Sequence, residues 1–431
     1  MRILERLAMP IFLAWLLWPF ATLALDGRVI DGISGKPIAG AIVTADKSVV
    51  RSDERGQFRL GDASGRVAAR AYGYRQAVAT IAGQPPRVTD ISLMPFRPRA
   101  LYLSFYGIGD RHLRQAALDL ATTTEINALV IDVKGDRGMI PYRSRVALAA
   151  EVGAQKIITV RNIDEQIRLL KERNLYLIAR IVVFKDSLLA AARPELAVKT
   201  RAGRLWRDRE GLAWVDPFRR EVWDYAIAVA VEAAALGFDE IQFDYVRFPD
   251  ATGLSFSQPN TEANRVGAVS GFFAAAREAL APYNVFVAAD VFGYVCWNLD
   301  DTAIGQRLDD LTRQLDYISP MLYPSGFQFG IPGCRNPVAH PREIVSQTLA
   351  RAAERSGLPS VRFRPWLQAF KDYAFGGQQF GAAEIRAQID AAESFGSDGW
   401  MLWNPRNSYT SDGLKARPAT ATAAPAGPQP R

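Results

Sequence analysis

Residues 237–250 read GFDEIQFDYVRFPD. The run 240–245 alternates apolar and polar side chains, the pattern of a strand with two different faces. Gln242 and Asp244 share one face, and Arg247 lies just beyond. Seven further strand-like runs occur, at 100–105, 128–133, 176–184, 285–291, 317–322, 362–369 and 399–403. Between them, 111–123, 163–173, 218–236, 261–280, 342–356 and 382–395 carry apolar residues at helical spacing. Asp216-Pro217 predicts a helix start, with Asp as cap and Pro in the first turn. Strands alternating with helices imply a parallel sheet. Eight such units predict an α/β fold, a (β/α)8 barrel over residues 99–414. An open doubly wound sheet is the alternative, but no Gly-rich phosphate fingerprint follows any strand.

In a barrel, alternate strand residues face inward and chemistry sits at the carboxyl ends of the strands. Several runs stay apolar until that end. ALVIDVKG puts Asp132 and Lys134 on one expected face, and VFVAADVFGY ends with Asp290. YISPMLYP ends with Tyr323, RFRPWLQAF alternates Arg364, Trp366 and Gln368, and the last run closes on Trp400 and Trp403. Asp132, Asp244 and Asp290 thus converge on one rim. Such residues could equally be helix caps, or be paired with an arginine such as Arg180 on the third strand. Two carboxylates beside a cleft satisfy glycoside hydrolysis, one as acid and one as nucleophile or base. Tyr106, Trp297, Tyr323, Trp366 and Trp403 are the aromatic candidates for sugar faces. Lys134, Arg180, Gln242, Arg247, Tyr323, Trp366, Gln368 and Trp403 are the candidate substrate-binding residues.

Composition narrows the chemistry. The 431 residues include two His and two Cys. That disfavours a His-based zinc site, a four-thiolate zinc site and a Ser-His-Asp triad, so no metal and no cofactor are expected. The net charge is +7. Arg2 and Arg6 against Glu5, with Lys415, Arg417 and Arg431 in the tail, carry more than half of that excess. The folded part is nearly balanced, and without a basic helix or aromatic-basic motif no nucleic-acid partner is expected.

Residues 1–24 read as a secretory signal, with two basic residues followed by an uncharged stretch. A retained membrane anchor is the alternative. Either one places the chain in the periplasm or outside the cell, with envelope association left open. Residues 26–96 are short β-prone runs separated by turn signals, the pattern of a small sandwich. Arg97-Pro98-Arg99 is a linker, and the Pro/Ala/Thr-rich residues 415–431 predict a disordered tail. Cys296 and Cys334 follow the fifth and sixth strand runs, and in an oxidising compartment a disulfide between adjacent loops is expected.

GRVIDGISGKPIAGAIVTAD, SDERGQFRL and AYGY resemble the carboxypeptidase regulatory-like (transthyretin-like) domain. That resemblance implies an accessory module without chemistry of its own. YLSFYGIGD, NALVIDVKGDRGMIPY, GFDEIQFDYVRFPD, DYISPMLYPSGF and GWMLWNP resemble a bacterial family of glycosyl hydrolase-like barrels catalogued as a domain of unknown function. It is distantly similar to the α-amylase-type barrels. The resemblance implies an extracytoplasmic hydrolase of a polysaccharide or oligosaccharide. In similar barrels a strand-four Asp is the nucleophile, the place of Asp244. The acid there is often a Glu at the end of strand five, the place of Asp290, and Asp132 is its rival. A non-catalytic carbohydrate-binding protein and an envelope interaction protein are the alternative functions.

Overall fold

The computed structural model describes residues 24–417, apart from 47, 63–65 and 81–88. The expected signal peptide, except Ala24, and residues 418–431 of the expected tail lie outside the described residues. Lys415–Arg417 are held in place: Glu125 N–H donates to the Lys415 carbonyl (2.9 Å) and Arg417 N–H to that of Thr123 (2.9 Å). No described helix is long and apolar enough to cross a membrane.

The N-terminal region forms two sheets. One orders β4-β1-β7 and the other β3-β2-β5-β6. These strands are β1 (Ala24–Asp31), β2 (Ile42–Ala45), β3 (Ser48–Arg51), β4 (Gln57–Asp62), β5 (Arg66–Arg70), β6 (Ala77–Thr80) and β7 (Thr89–Leu93). Val29, Val43, Leu60, Ala69 and Leu93 fill the core between them. The barrel is closed. Its strands are β8 (Arg99–Leu103), β9 (Ala128–Lys134), β10 (Tyr176–Val182), β12 (Glu240–Asp244), β14 (Phe286–Phe292), β15 (Tyr317–Met321), β16 (Trp366–Gln368) and β17 (Trp400–Trp403). Two short strands, β11 (Lys199–Thr200) and β13 (Leu254–Ser255), pair outside it. All eight predicted runs supply barrel strands, and the order around the barrel follows the chain.

β12 shows why the alternation matters. Ile241 and Phe243 are fully buried in the outer core, where the Phe243 ring lies 5.0 Å from that of Phe272 on helix Glu262–Leu280. Burying each contributes about 1.5–3 kcal/mol. Glu240, Gln242 and Asp244 face inward and form a ladder from the bottom of the barrel to its rim. Glu240 is paired with Arg364, which also meets Asp398 at 3.2 Å. Gln242 donates to the Ser319 hydroxyl (3.1 Å), and Asp244 reaches the open end.

The sandwich closes the opposite, amino-terminal end. Arg70 pairs with buried Asp316 at 2.8 Å, and Tyr72 and Phe96 pack on the barrel's lowest residues, Tyr317 and Tyr176. Asn284 adopts a left-handed backbone (φ 54°), a conformation Asn tolerates. Its side-chain amide donates to Thr44 Oγ1 (2.8 Å) and to the Ile42 carbonyl (3.1 Å). At the linker, a Cβ on Gly399 (φ 78°) would lie 1.8 Å from the Pro98 carbonyl oxygen, so the entry into β17 requires glycine.

Three expectations are corrected. Helix Arg220–Leu236 begins after Arg219, so Asp216 is not its cap. Asp216 instead accepts from Phe218 N–H (3.0 Å) and Ser257 N–H (2.6 Å), fastening a loop. Lys134 does not share a face with Asp132. β9 slips register there: Asp132 pairs with Arg180 but Lys134 with the next residue, Ile181. This bulge turns Lys134 outward, where it pairs with Asp186 at 2.7 Å, fully buried. Finally, Cys296 and Cys334 are free thiols, not a disulfide. Each is packed into the outer hydrophobic core, because succession of strands does not set the Cα spacing a disulfide needs. Burial pushes the Cys296 thiol up to about 12, which keeps it unreactive. Denatured, unreduced protein should therefore react with two equivalents of a thiol reagent. Finding none would restore the bridge.

Candidate active site

The carboxyl ends of the strands open into a cavity of about 900 Å³. Arg180, from β10, is its electrostatic centre. Its Nη1 donates to Asp132 Oδ1 at 2.6 Å. Its Nε and Nη2 both donate to Asp244 Oδ2, at 3.0 and 2.5 Å, and Nε lies 3.8 Å from Asp290 Oδ2. The sequence-predicted carboxylates therefore do converge, on one guanidinium. All four side chains are buried.

Their surroundings differ. Asp244 and Asp290 line the cavity, whereas Asp132 does not. Asp132 is closed behind Arg180 and accepts from the Tyr102 hydroxyl at 2.7 Å. Burial raises its carboxyl above the ordinary range, with Arg180 opposing. Asp290 is raised much further, first by burial and then by the charge of Asp244. Arg180 and the Trp366 indole, which donates to Asp290 Oδ1 at 2.6 Å, oppose the shift without reversing it. Asp290 therefore holds its proton to higher pH than an ordinary carboxyl. Arg180 stays charged despite its burial, because Asp132 and Asp244 outweigh the desolvation.

After Asp244 the chain turns sharply. Tyr245 has φ 53°, a left-handed conformation that costs a non-glycine residue about 1–3 kcal/mol. The turn brings its N–H to 2.5 Å from Asp244 Oδ1 and puts the ring into the cavity lining.

Of the predicted binding residues, Arg180, Arg247, Tyr323, Trp366 and Trp403 line the cavity. Lys134, Gln242 and Gln368 do not. Gln242 sits in the middle layer beneath the cavity. Gln368 receives Ser325 N–H (3.0 Å) and donates to its hydroxyl (2.8 Å), fixing the loop after β15. Trp403 stacks on Tyr102 (centroids 3.9 Å) and meets Trp366 edge-on (5.4 Å). Tyr106 and Trp297 lie elsewhere. Tyr106 is exposed outside the cavity, and the Trp297 indole donates to Thr348 at 3.1 Å.

Sequence reasoning missed Tyr245, Tyr294, Phe370, Lys371, Tyr373 and Arg406 of the lining. They stand on loops or, for Tyr294, on the short 3-10 turn Gly293–Cys296, where neither period identifies a face. The density of aromatic residues after the strands was the one available signal.

A family model described as "putative glycosyl hydrolase domain" matches residues 100–409, the whole barrel. No curated protein sequence matches. Among solved structures, a hypothetical protein from Ruminiclostridium thermocellum is 41% identical. The match covers 44% of this chain and 97% of that one, with a TM-score of 0.40. The PgaB (BpsB) glycoside hydrolase domain from Bordetella bronchiseptica is 16% identical, over 73% and 95% of the two chains, with a TM-score of 0.54. A class V chitinase from Pseudomonas fluorescens is 15% identical, over 72% and 96%, at 0.44. With its closed barrel and a family match spanning it, this chain belongs to the glycosyl hydrolase domain family so described.

Proposed function

We propose that this chain is an exported glycoside hydrolase that cleaves a polysaccharide with Asp244 and Asp290. One observation carries the reading. Two carboxyl groups line one cavity and share one guanidinium, and burial together with the charge of Asp244 raises the carboxyl of Asp290. A carboxyl raised in this way is suited to act as the acid. Asp290 gives its proton to the leaving glycosidic oxygen as the bond to the anomeric carbon breaks. Asp244, held by Arg180 and by Tyr245 N–H, attacks or stabilises that carbon. Water then supplies the hydroxyl, and its proton returns to Asp290. Asp132 orients Arg180 and is a positioning residue. Trp366, Trp403 and Tyr323 support sugar rings. Residues 1–24 supply the export signal. The sandwich, none of whose described residues lines the cavity, supports the barrel from below as a carboxypeptidase regulatory-like accessory domain.

The test is release of reducing ends from a glycan panel, followed across pH. Asp290 keeps its proton above the ordinary carboxylate range, so kcat/KM should fall as pH rises through its raised pKa. Asp290→Asn should cost about 10²–10⁴-fold in kcat and abolish that alkaline limb. A variant with wild-type rates and an unchanged profile would refute the acid assignment.

A further inference from the structure

Resting on the glycosidase reading, we propose that the glycan cleaved here is acidic, with an oxyanion on the sugar held by Arg247 beside Asp244. Charges of both signs line the cavity. Arg180 is consumed by the buried carboxylates. Glu210 shares Lys185, 2.9 Å away, with Asp208, which lies 3.2 Å from it. Asp290 also faces Arg180, 3.8 Å from its Nε. Asp412 remains, exposed and accepting from the Thr410 hydroxyl at 2.9 Å. Against it stand Arg247, Lys371 and Arg406, none of which makes an ion pair among the described residues. Three cations of the lining are therefore left without an anionic partner among the described residues.

Arg247 is the informative member. It lies three residues after Asp244 on the same strand-to-loop turn. Its guanidinium is clamped against two rings, 5.1 Å from the Trp214 centroid and 4.9 Å from that of Tyr245. Among the described residues its guanidinium makes one hydrogen bond, a long one of 3.4 Å to the Phe248 carbonyl. Stacking fixes the plane of the group and leaves its edge donors free. A half-buried guanidinium so held is prepared for a bidentate oxyanion and pays little ordering entropy on binding it. Lys371 and Arg406 are exposed on loops at the mouth and extend the positive field outward, as a chain of repeated acidic sugars would require. Neutral glycans would leave these donors without partners. Cationic glycans would meet repulsion.

A carboxylate and a sulfate present the same chemistry to Arg247, so the experiment carries both. Hydrolysis and calorimetric binding are measured on polygalacturonate and alginate oligosaccharides, chondroitin sulfate oligosaccharides, cello-oligosaccharides and chitosan oligosaccharides, each at low and high salt. The expected result is cleavage of a uronate or sulfated substrate in preference to the neutral and cationic ones, with KM rising as salt increases. Arg247→Gln should lower kcat/KM on that substrate by about 10- to 100-fold, chiefly through KM. The double variant Lys371→Ala/Arg406→Ala, exposed and harmless to folding, should raise KM and flatten its salt dependence. Preferential, salt-insensitive cleavage of a neutral or cationic glycan would overturn the inference and leave the hydrolase reading standing. Tight binding of acidic oligosaccharides with no release of reducing ends would sink the hydrolase reading and keep the anion site. Acidic oligosaccharides that neither bind nor are cleaved would overturn the inference.

Discussion

Asp244→Asn should lower kcat by about 10⁴-fold or more, the scale of losing a reacting carboxylate or its equivalent in other hydrolases. The fold should survive. The amide oxygen can still accept from Tyr245 N–H, and Arg180 remains neutralised by Asp132 at 2.6 Å. Activity and melting temperature together make the test, and a variant within tenfold of wild type would remove Asp244 from the reaction. A second consequence is specific to the cluster. Part of the upward shift of Asp290 comes from the charge of Asp244, so the carboxyl of Asp290 should titrate lower in this variant. Carbonyl infrared spectroscopy across pH reads that directly, without turnover. An unmoved Asp290 would mean that burial alone sets its proton.

Arg180→Met should destabilise the fold by about 3–5 kcal/mol near neutral pH, the cost of stripping the partner from buried charges. Methionine keeps much of the side chain's length and removes the cation facing Asp132, Asp244 and Asp290. The loss should depend on pH. Without Arg180 the folded-state pKa values of Asp132 and Asp290, already raised by burial, rise further above their unfolded values. The folded variant then binds protons that the unfolded chain releases, so its stability falls as pH rises above the unfolded carboxylate pKa of about 4. Urea unfolding at pH 4 and pH 7 should show the larger deficit at pH 7. Equal deficits would mean that packing of Arg180 on Tyr102 and Trp403, rather than its charge, holds the site. Arg180→Lys restores the charge without the fork and should fall between the two.

The lesson of Lys134 and Asp132 concerns period. Strict alternation places both on the inner face, and a single bulge divides them. No residue type in ALVIDVK announces that slip, because it is settled by pairing with β10. Arg180 illustrates the same point from the other side. In sequence it was a candidate both for substrate and for neutralising a carboxylate. The structure commits it to three carboxylates contributed by three other strands.

The sequence by itself determined the barrel, its strand order and the inward face carrying Asp132, Asp244 and Asp290, because a period of two and a period of 3.6 are local properties of the chain. It also singled out Arg247, Tyr323, Trp366 and Trp403 as binding candidates, and these reach the cavity. Only the tertiary structure decided that burial and Asp244 raise Asp290, that Asp132 is shut behind Arg180, and that the two cysteines stay unbridged. It also set the sandwich at the end remote from the cavity. Those outcomes depend on burial and on distances between segments far apart in the chain, and such distances exist only once the barrel has closed.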